Sequence, residues 1–257
     1  MSAANSQPPL HHQNPLDRFS NRAKDYSRYR PTYPAAAIDW ILAGLTPSAT
    51  IADIGAGTGI SSRLLGDRGL QVWAIDPNET MRSAAQPHPQ VKFHAGTAEQ
   101  TGLDAASVDL ITCCQSFHWF EPIATLQEFH RILKSGGRVA LVWNERDQTD
   151  QFTAEHTAVI RKAAETRFFD HPARKSADPL AESSLFTHFR QRSFSHQQPL
   201  SLNAMIGLAL SASYIPKSGE VYEQLLLDFK DLFDRWSDHE AIVRLTYQTN
   251  VYLSDRL

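Results

Sequence analysis

Five short apolar runs, each separated from the next by a stretch with polar punctuation or helical spacing, occupy the chain between about residue 49 and residue 143. This alternation allows few folds. Strands that recur behind helices pair in parallel, and a parallel sheet is covered by helices on both faces. The runs are Ala49–Asp53, Gln71–Asp76, Val91–Ala95, Val108–Cys114 and Arg138–Trp143. Between the last two, Ile123, Leu126, Phe129 and Leu133 lie on one helical face, and Ser135-Gly136-Gly137 is expected to end that helix in the manner of a glycine cap.

After Trp143 the pattern changes. A helix is expected from about Phe152 to Phe168, then a loop, then a strand near Phe189–His196. Val221, Leu225, Phe229, Leu232 and Trp236 share one face of a helix that Ser218-Gly219-Glu220 opens. In "VRLTYQTNVYL", apolar Val243, Leu245, Tyr247, Val251 and Leu253 alternate with Arg244, Thr246, Gln248 and Asn250, which predicts a strand with one wet face in an antiparallel pairing.

Composition narrows the function classes. The chain has 25 Lys and Arg against 28 Asp and Glu, a net charge of −3, and no basic block that would track a phosphate backbone, so nucleic acid is not expected as a partner. No run of about 18 apolar residues marks a membrane span, and Met1–Asn14 lacks the apolar stretch of a secretory signal. A cytoplasmic protein is expected. The only cysteines, Cys113 and Cys114, are sequence neighbours and cannot build a disulfide framework, and no His/Cys cluster has zinc-ligand spacing, so no metal is expected.

The first apolar run leads into "IADIGAGTGI", with Gly55, Gly57 and Gly59 in five positions. A strand, a glycine turn and a helix let a ligand approach bare backbone N–H groups. The dinucleotide fingerprint G-x-G-x-x-G/A needs a third small residue where Ile60 stands here, so the loop is odd for a pyrophosphate. Asp76 follows at the end of the second strand, 76 minus 55 or 21 positions after Gly55, where a carboxylate accepts hydrogen bonds from ribose hydroxyls. An adenosine-like ligand follows from the two together. The plain alternative for Asp76-Pro77-Asn78 is a helix start.

In this order and spacing "DIGAGTG", "AIDPNETM", "GTAEQTGL", "CCQSFHWF" and "LKSGGRVALVWNERD" resemble the class I S-adenosylmethionine-dependent methyltransferases. The flanking "FSNRAKDYSRYRPTYP" and "LTYQTNVYL" resemble the branch that includes the trans-aconitate methyltransferases and related small-molecule enzymes. The resemblance covers roughly residues 16 to 253. It implies an α/β, Rossmann-like, seven-stranded and mostly parallel sheet with an antiparallel last strand, helices on both faces, and extra helices after the fifth strand. It also implies roles. Asp53 and the backbone of Gly55, Ala56, Gly57 and Gly59 would hold the methionine part of S-adenosylmethionine, Asp76 the ribose, Pro77 the face of the adenine, and Thr97 and Ala98 its polar edge. Gln115 would face the sulfonium. Where the family commonly has an acid before the Ala-Glu pair, this chain has Thr97, a weaker acceptor.

The expected organisation is a flexible tail over 1–15 and one domain over 16–257, divided into an N-terminal lid or helix (16–48), a cofactor-binding core (49–143) and substrate-side helices with the final strands (144–257). In "DYSRYRPTYP", Tyr26, Tyr29 and Arg30 precede the first strand. Either this segment folds over the cofactor, with Arg22, Arg28 or Arg30 meeting a carboxylate, or it is a solvated tail packed by its aromatics. His118, after the fourth strand, is the candidate catalytic base or substrate contact, or else a histidine that shapes its loop. Trp119 and Phe120 line a methyl pocket or belong to the core, and Trp143 reads as packing. Phe168, Phe169, His171, Arg174, Lys175, Tyr214 and Lys217 are the candidates for specificity.

The leading expectation is a methyltransferase that uses S-adenosylmethionine, releases S-adenosylhomocysteine, and acts on a small molecule through a carboxylic acid or hydroxyl oxygen. The absence of an Asn/Asp-Pro-Pro-aromatic run after the fourth strand speaks against the amide and base methylating enzymes. The alternatives are an NAD-dependent oxidoreductase, which Ile60 disfavours, and a cofactor-binding protein without turnover. Oligomeric state leaves no mark in the residues.

Overall fold

A computed structural model of the protein describes Leu10 and residues 23–164 and 176–257. The order of elements is α1 (Ala23–Tyr29), α2 (Ala35–Leu42), β1 (Thr50–Ile54), α3 (Ile60–Gly66), β2 (Gln71–Ile75), α4 (Glu79–Ser83), β3 (Val91–His94), β4 (Val108–Cys114), α5 (Pro122–Ile132), β5 (Leu133–Arg146), α6 (Gln151–Ala163), α7 (Asp178–Ala181), β6 (Phe186–Leu200), α8 (Leu202–Leu210), α9 (Glu220–Trp236) and β7 (Val243–Arg256).

The seven strands form one sheet in the order β3-β2-β1-β4-β5-β7-β6. The first five pair in parallel and β7 runs antiparallel to both β5 and β6. Successive residues of the central strands serve opposite faces, as a pleated strand requires. Ile51, Leu110 and Val142 pack with Ile38, Ile41 and Leu65 on the side of α2 and α3. Ala52, Ile111 and Leu141 pack with Leu126, Phe129 and Ile132 of α5 on the other. The strand order reverses between β1 and β4, so their carboxyl ends open a crevice at that point.

Several local expectations differ from what the structure shows. The helix before β5 ends at Ile132, because Leu133 is already extended and pairs with Val108. The ladder captures the chain before the glycines arrive, and Gly136, at φ +75, falls in the irregular stretch between the Val108 and Leu110 pairings. On the same helix Ile123 is 70% exposed, being in the first turn beyond the sheet. The alternation of β7 holds with one exception: Arg244 is exposed and Gln248 and Asn250 are half-buried, but Thr246 is buried with its N–H donating to Thr153 Oγ1 of α6. The expected helix from Phe152 stops at Ala163, with residues 165–168 outside those described. Of the expected tail, Leu10 is buried among the helices that follow β5 and the other residues of 1–15 lie outside the description.

A third cluster joins α6, α8 and α9 over the β6–β7 ribbon. At its centre His156 of α6 is fully buried and stacked on Phe229 of α9, ring centroids 5.3 Å apart. Neither ring nitrogen has a hydrogen-bond partner. Burial pushes this imidazole well below its ordinary pKa, and the charge of Arg146 acts the same way. A depressed folded value means that the contribution to stability is full above about pH 6.5 and is lost as pH falls from there toward the folded value, because only the unfolded chain takes the proton. His156→Phe keeps the stack and removes two unpaired nitrogens. It should raise stability at pH 7 by about 1 kcal/mol or more and flatten the fall in melting temperature between pH 7 and 5.5. A variant with lower stability at pH 7 and an unchanged slope would contradict this description.

Candidate active site

The crevice beyond β1, β2 and β4 holds a cavity of about 510 Å³, walled by Tyr26, Gly55, Gly57, Asp76–Asn78, Met81, Gly96–Glu99, Gln115, Ser116 and Trp119–Glu121. A smaller cavity of about 30 Å³ adjoins it, sharing Tyr26, Gly55 and Gln115 and adding Arg30, Tyr33, Ala56, Ser61, Cys114 and Asn144 among others.

The glycine loop shapes the junction. Gly55 has φ +68, and a Cβ there would stand 2.5 Å from Ser116 Cβ and 2.9 Å from the Phe120 ring. A side chain would therefore strain the backbone and fill the space between the two cavities. Gly57, at φ +56, turns its N–H to Asp76 Oδ2 at 2.8 Å. The other carboxylate oxygen accepts the Asn78 N–H at 2.9 Å. Asp76 thus stands at the cavity wall with each oxygen pinned once and lone pairs left over. Burial pushes its carboxyl above the ordinary range, while the N–H groups of Asn78 and Gly57 and the charge of Arg82 pull it back.

Asp53 is differently placed from what the resemblance implies. It lines neither cavity and is fully buried. Ser61 and Ser62 of α3 donate to its Oδ2 at 2.6 Å, and Thr112 of β4 donates to its Oδ1 at 2.9 Å. Three hydroxyls satisfy a buried carboxylate and so tie the floor of the loop to β1 and β4. Burial is the largest influence on it and raises its pKa; the hydroxyls oppose this.

At the far side of the loop Gln115 adopts φ +61, a left-handed backbone uncommon outside glycine. Its N–H is held by the Val142 carbonyl and its side-chain amide donates to the Asn144 carbonyl. The geometry sets Gln115 in the wall of both cavities. Pro77, Thr97 and Ala98 line the large one. Thr97 Oγ1 already accepts the Gln100 N–H at 3.2 Å. Glu99 and Glu121 were not singled out in the sequence, yet both line the wall. Glu99 accepts the Glu121 N–H, and the Glu121 carboxylate caps α5 through Ile123 and Ala124. The motif E-P before an apolar helical stripe was the available signal for the cap.

Tyr26 lines both cavities, and the Arg30 guanidinium lies over its ring, 4.7 Å from the centroid. Arg30 lines the small cavity too; its Nη2 donates to the Ser211 carbonyl, and its Nε is buried without a partner. Arg28 lies over Tyr29, and Arg22 is outside the described residues.

His118 sits in the helical turn Phe117–Trp119 and does not line the large cavity, although Trp119 and Phe120 beside it do. Its Nδ1 accepts the Trp143 indole N–H at 3.3 Å, which assigns the neutral ring its Nε2–H tautomer. Its ring centroid is 5.0 Å from that of Trp119. Among the specificity candidates, Tyr214 is buried in the helical cluster and Lys217 pairs with Asp25 at 3.4 Å. Phe168, Phe169, His171, Arg174 and Lys175 lie outside the description. Among the described residues no cluster could hold a metal, and no helix is long and apolar enough to cross a membrane.

Comparison with known proteins gives this geometry its context. A family model described as a methyltransferase domain matches residues 52–141. A protein of Mycobacterium tuberculosis named as an uncharacterised methyltransferase is 35% identical over 199 residues, 76% of this chain and 76% of its own. A methyltransferase-like protein of Schizosaccharomyces pombe is 36% identical over 138 residues, 52% of this chain and 54% of its own. In fold, a solved protein of Anaeromyxobacter dehalogenans that carries the name type II methyltransferase superposes with a TM-score of 0.64 at 23% identity, covering 88% of this chain and 98% of that one.

Proposed function

Because the chain belongs to the class I S-adenosylmethionine-dependent methyltransferases, we propose that its two adjoining cavities hold the methyl donor and that it methylates an oxygen of a small molecule. One observation carries the reading. Across the Gly55 bend, Asp76 offers carboxylate lone pairs at the wall of the large cavity, and Arg30 contributes its cationic side chain to the wall of the small one. An acceptor suited to ribose hydroxyls and a donor suited to a carboxylate thus flank a loop too tight for side chains, as an amino acid joined to a nucleoside requires.

When bound, S-adenosylmethionine supplies an electrophilic methyl group on a sulfonium and leaves as S-adenosylhomocysteine. The chain's own residues orient it. Asp76 would hold the sugar, Pro77 the face of the base, and Thr97 and Ala98 its edge. The backbone of Gly55, Ala56, Gly57 and Gly59 would hold the amino-acid half, with Asp53 bracing that loop through Ser61, Ser62 and Thr112. Gln115 stands at the junction, where the sulfonium would lie, and Tyr26 and Arg30 close over the far end. Trp119 and Phe120 present aromatic faces suited to a cation. Alignment of acceptor and methyl can supply ~7–11 kcal/mol, so no strong base is required for an acceptor that is already ionised. We assign His118, held at Nδ1 by Trp143, to positioning Trp119. The resemblance to the trans-aconitate branch favours a carboxylic acid as acceptor, with a hydroxyl as the second choice.

Titration calorimetry of the protein with S-adenosylhomocysteine and, separately, NAD should give heat only with the first. Transfer of labelled methyl to a panel of acids, phenols and amines should label acids. Binding of NAD alone would sink the donor assignment, and labelled amines alone would sink the oxygen acceptor.

A further inference from the structure

Helix α8 lies outside the glycine-loop crevice, yet it carries the seat on which the α1 segment rests. Gly207, in its interior, meets the edge of the Tyr29 ring: a Cβ built on it would be 2.2 Å from Tyr29 Cε2 and 2.3 Å from Cδ2. Glycine is a poor choice for the middle of a helix, where alanine is favoured by its smaller backbone entropy loss. The position is explained by the ring it admits. Around that contact the segment is tied by three further bonds. Gln198 of β6 donates to the Tyr29 carbonyl at 2.9 Å, Arg30 donates to the Ser211 carbonyl just beyond α8 at 3.2 Å, and Asn144 donates to the Thr32 carbonyl at 3.0 Å.

Tyr29 and Arg30 follow Tyr26 by three and four residues, and the Arg30 N–H donates to the Tyr26 carbonyl, so the seating of the Tyr29 ring bears on the placing of the other two. Tyr26 and Arg30 are the residues that this turn contributes to the small cavity. We propose that Gly207 is a positioning residue for the methyl donor: by admitting the Tyr29 ring it holds Tyr26 and Arg30 over the amino-acid end of the site. This rests on the assignment of that cavity to the methionine half. A methyl group at 207 would have to move the ring from 2.2 Å to at least the 3.4 Å of ordinary contact. That displacement turns Arg30 away from the small cavity and leaves the nucleoside end, built on β2 and the 96–99 turn, untouched.

Two ligands separate the ends. S-adenosylhomocysteine carries the amino-acid half, and 5′-methylthioadenosine lacks it. For Gly207→Ala in the full chain, calorimetry should show S-adenosylhomocysteine weakened about tenfold and 5′-methylthioadenosine bound as by the unaltered protein. Tyr29→Ala, which removes the ring and leaves α8 intact, should show the same selective loss and decides the matter if Gly207→Ala does not fold. Equal weakening of both ligands, or undiminished S-adenosylhomocysteine affinity in either variant, overturns the proposal. If the unaltered protein binds neither ligand, the donor assignment itself falls.

Discussion

Asp76→Asn should bind S-adenosylhomocysteine about 100-fold more weakly, or worse, and melt somewhat lower, because its amide NH2 must face one of the two backbone N–H groups that the carboxylate accepts. On the proposed binding mode the loss comes from replacing by an amide a carboxylate that would accept the two ribose hydroxyls. Hydrogen bonds to a charged group contribute about 1.5–3 kcal/mol each, and ~3 kcal/mol in total is a factor of about 100. The fall in melting point is limited by a separate effect. Burial raises the folded pKa of Asp76. An acid with a raised folded value contributes stability that is full below the ordinary aspartate value of about 3.9 and lost as pH rises through the folded value. At neutral pH the ionised carboxylate therefore weighs against the fold, and its bonds to the Gly57 and Asn78 N–H groups recover part of this. Calorimetry and thermal unfolding on the same sample test both halves. Affinity within a factor of three of the unaltered protein would remove Asp76 from the binding site.

Gly55→Ala should abolish methyl transfer and destabilise the protein. A non-glycine residue at φ +68 costs about 1–2 kcal/mol. Its Cβ would also meet Ser116, whose hydroxyl is anchored on the Ile54 carbonyl at 2.7 Å and cannot swing clear. Overpacking of that kind adds about 1–3 kcal/mol, so a fall in melting temperature of roughly 5–15 °C follows for a domain of this size. Gly69→Ala is the control. Gly69 has φ +83 but open space around its would-be Cβ, so only the backbone penalty applies and donor binding should persist. If the two variants behave alike in unfolding and in S-adenosylhomocysteine titrations, the bend at Gly55 has no part in shaping the site.

The sheet was legible because its central strands are buried on both faces, which forces continuous apolar runs such as "VDLITCC". The place of Asp76 beside the glycine loop was legible too, since a fixed strand-helix-strand length separates it from Gly55. Other features were hidden for identifiable reasons. The end of α5 was misjudged because Ser135-Gly136-Gly137 looks like a cap, whereas pairing of Leu133 with Val108, a contact distant in sequence, decides the boundary. The hydroxyl partners of Asp53, namely Ser61, Ser62 and Thr112, are ordinary polar residues until the fold brings them together. Glu99 and Glu121 meet at the cavity wall from separate segments. Gly207 in "LNAMIGLAL" reads as an indifferent small residue, and only the Tyr29 ring, 178 positions earlier (207 minus 29), gives it meaning.

The placement of β7 between β5 and β6 has a consequence for synthesis. Translation delivers both neighbours before the strand that bridges them. Until Val243–Arg256 emerges, β5 has one unsatisfied flank of N–H and C=O groups beside a strand whose Val139–Trp143 is almost wholly apolar. A nascent edge of that kind invites pairing with other chains. The site over β1, β2 and β4 can be nearly assembled while the molecule still depends on its late strand for protection against aggregation.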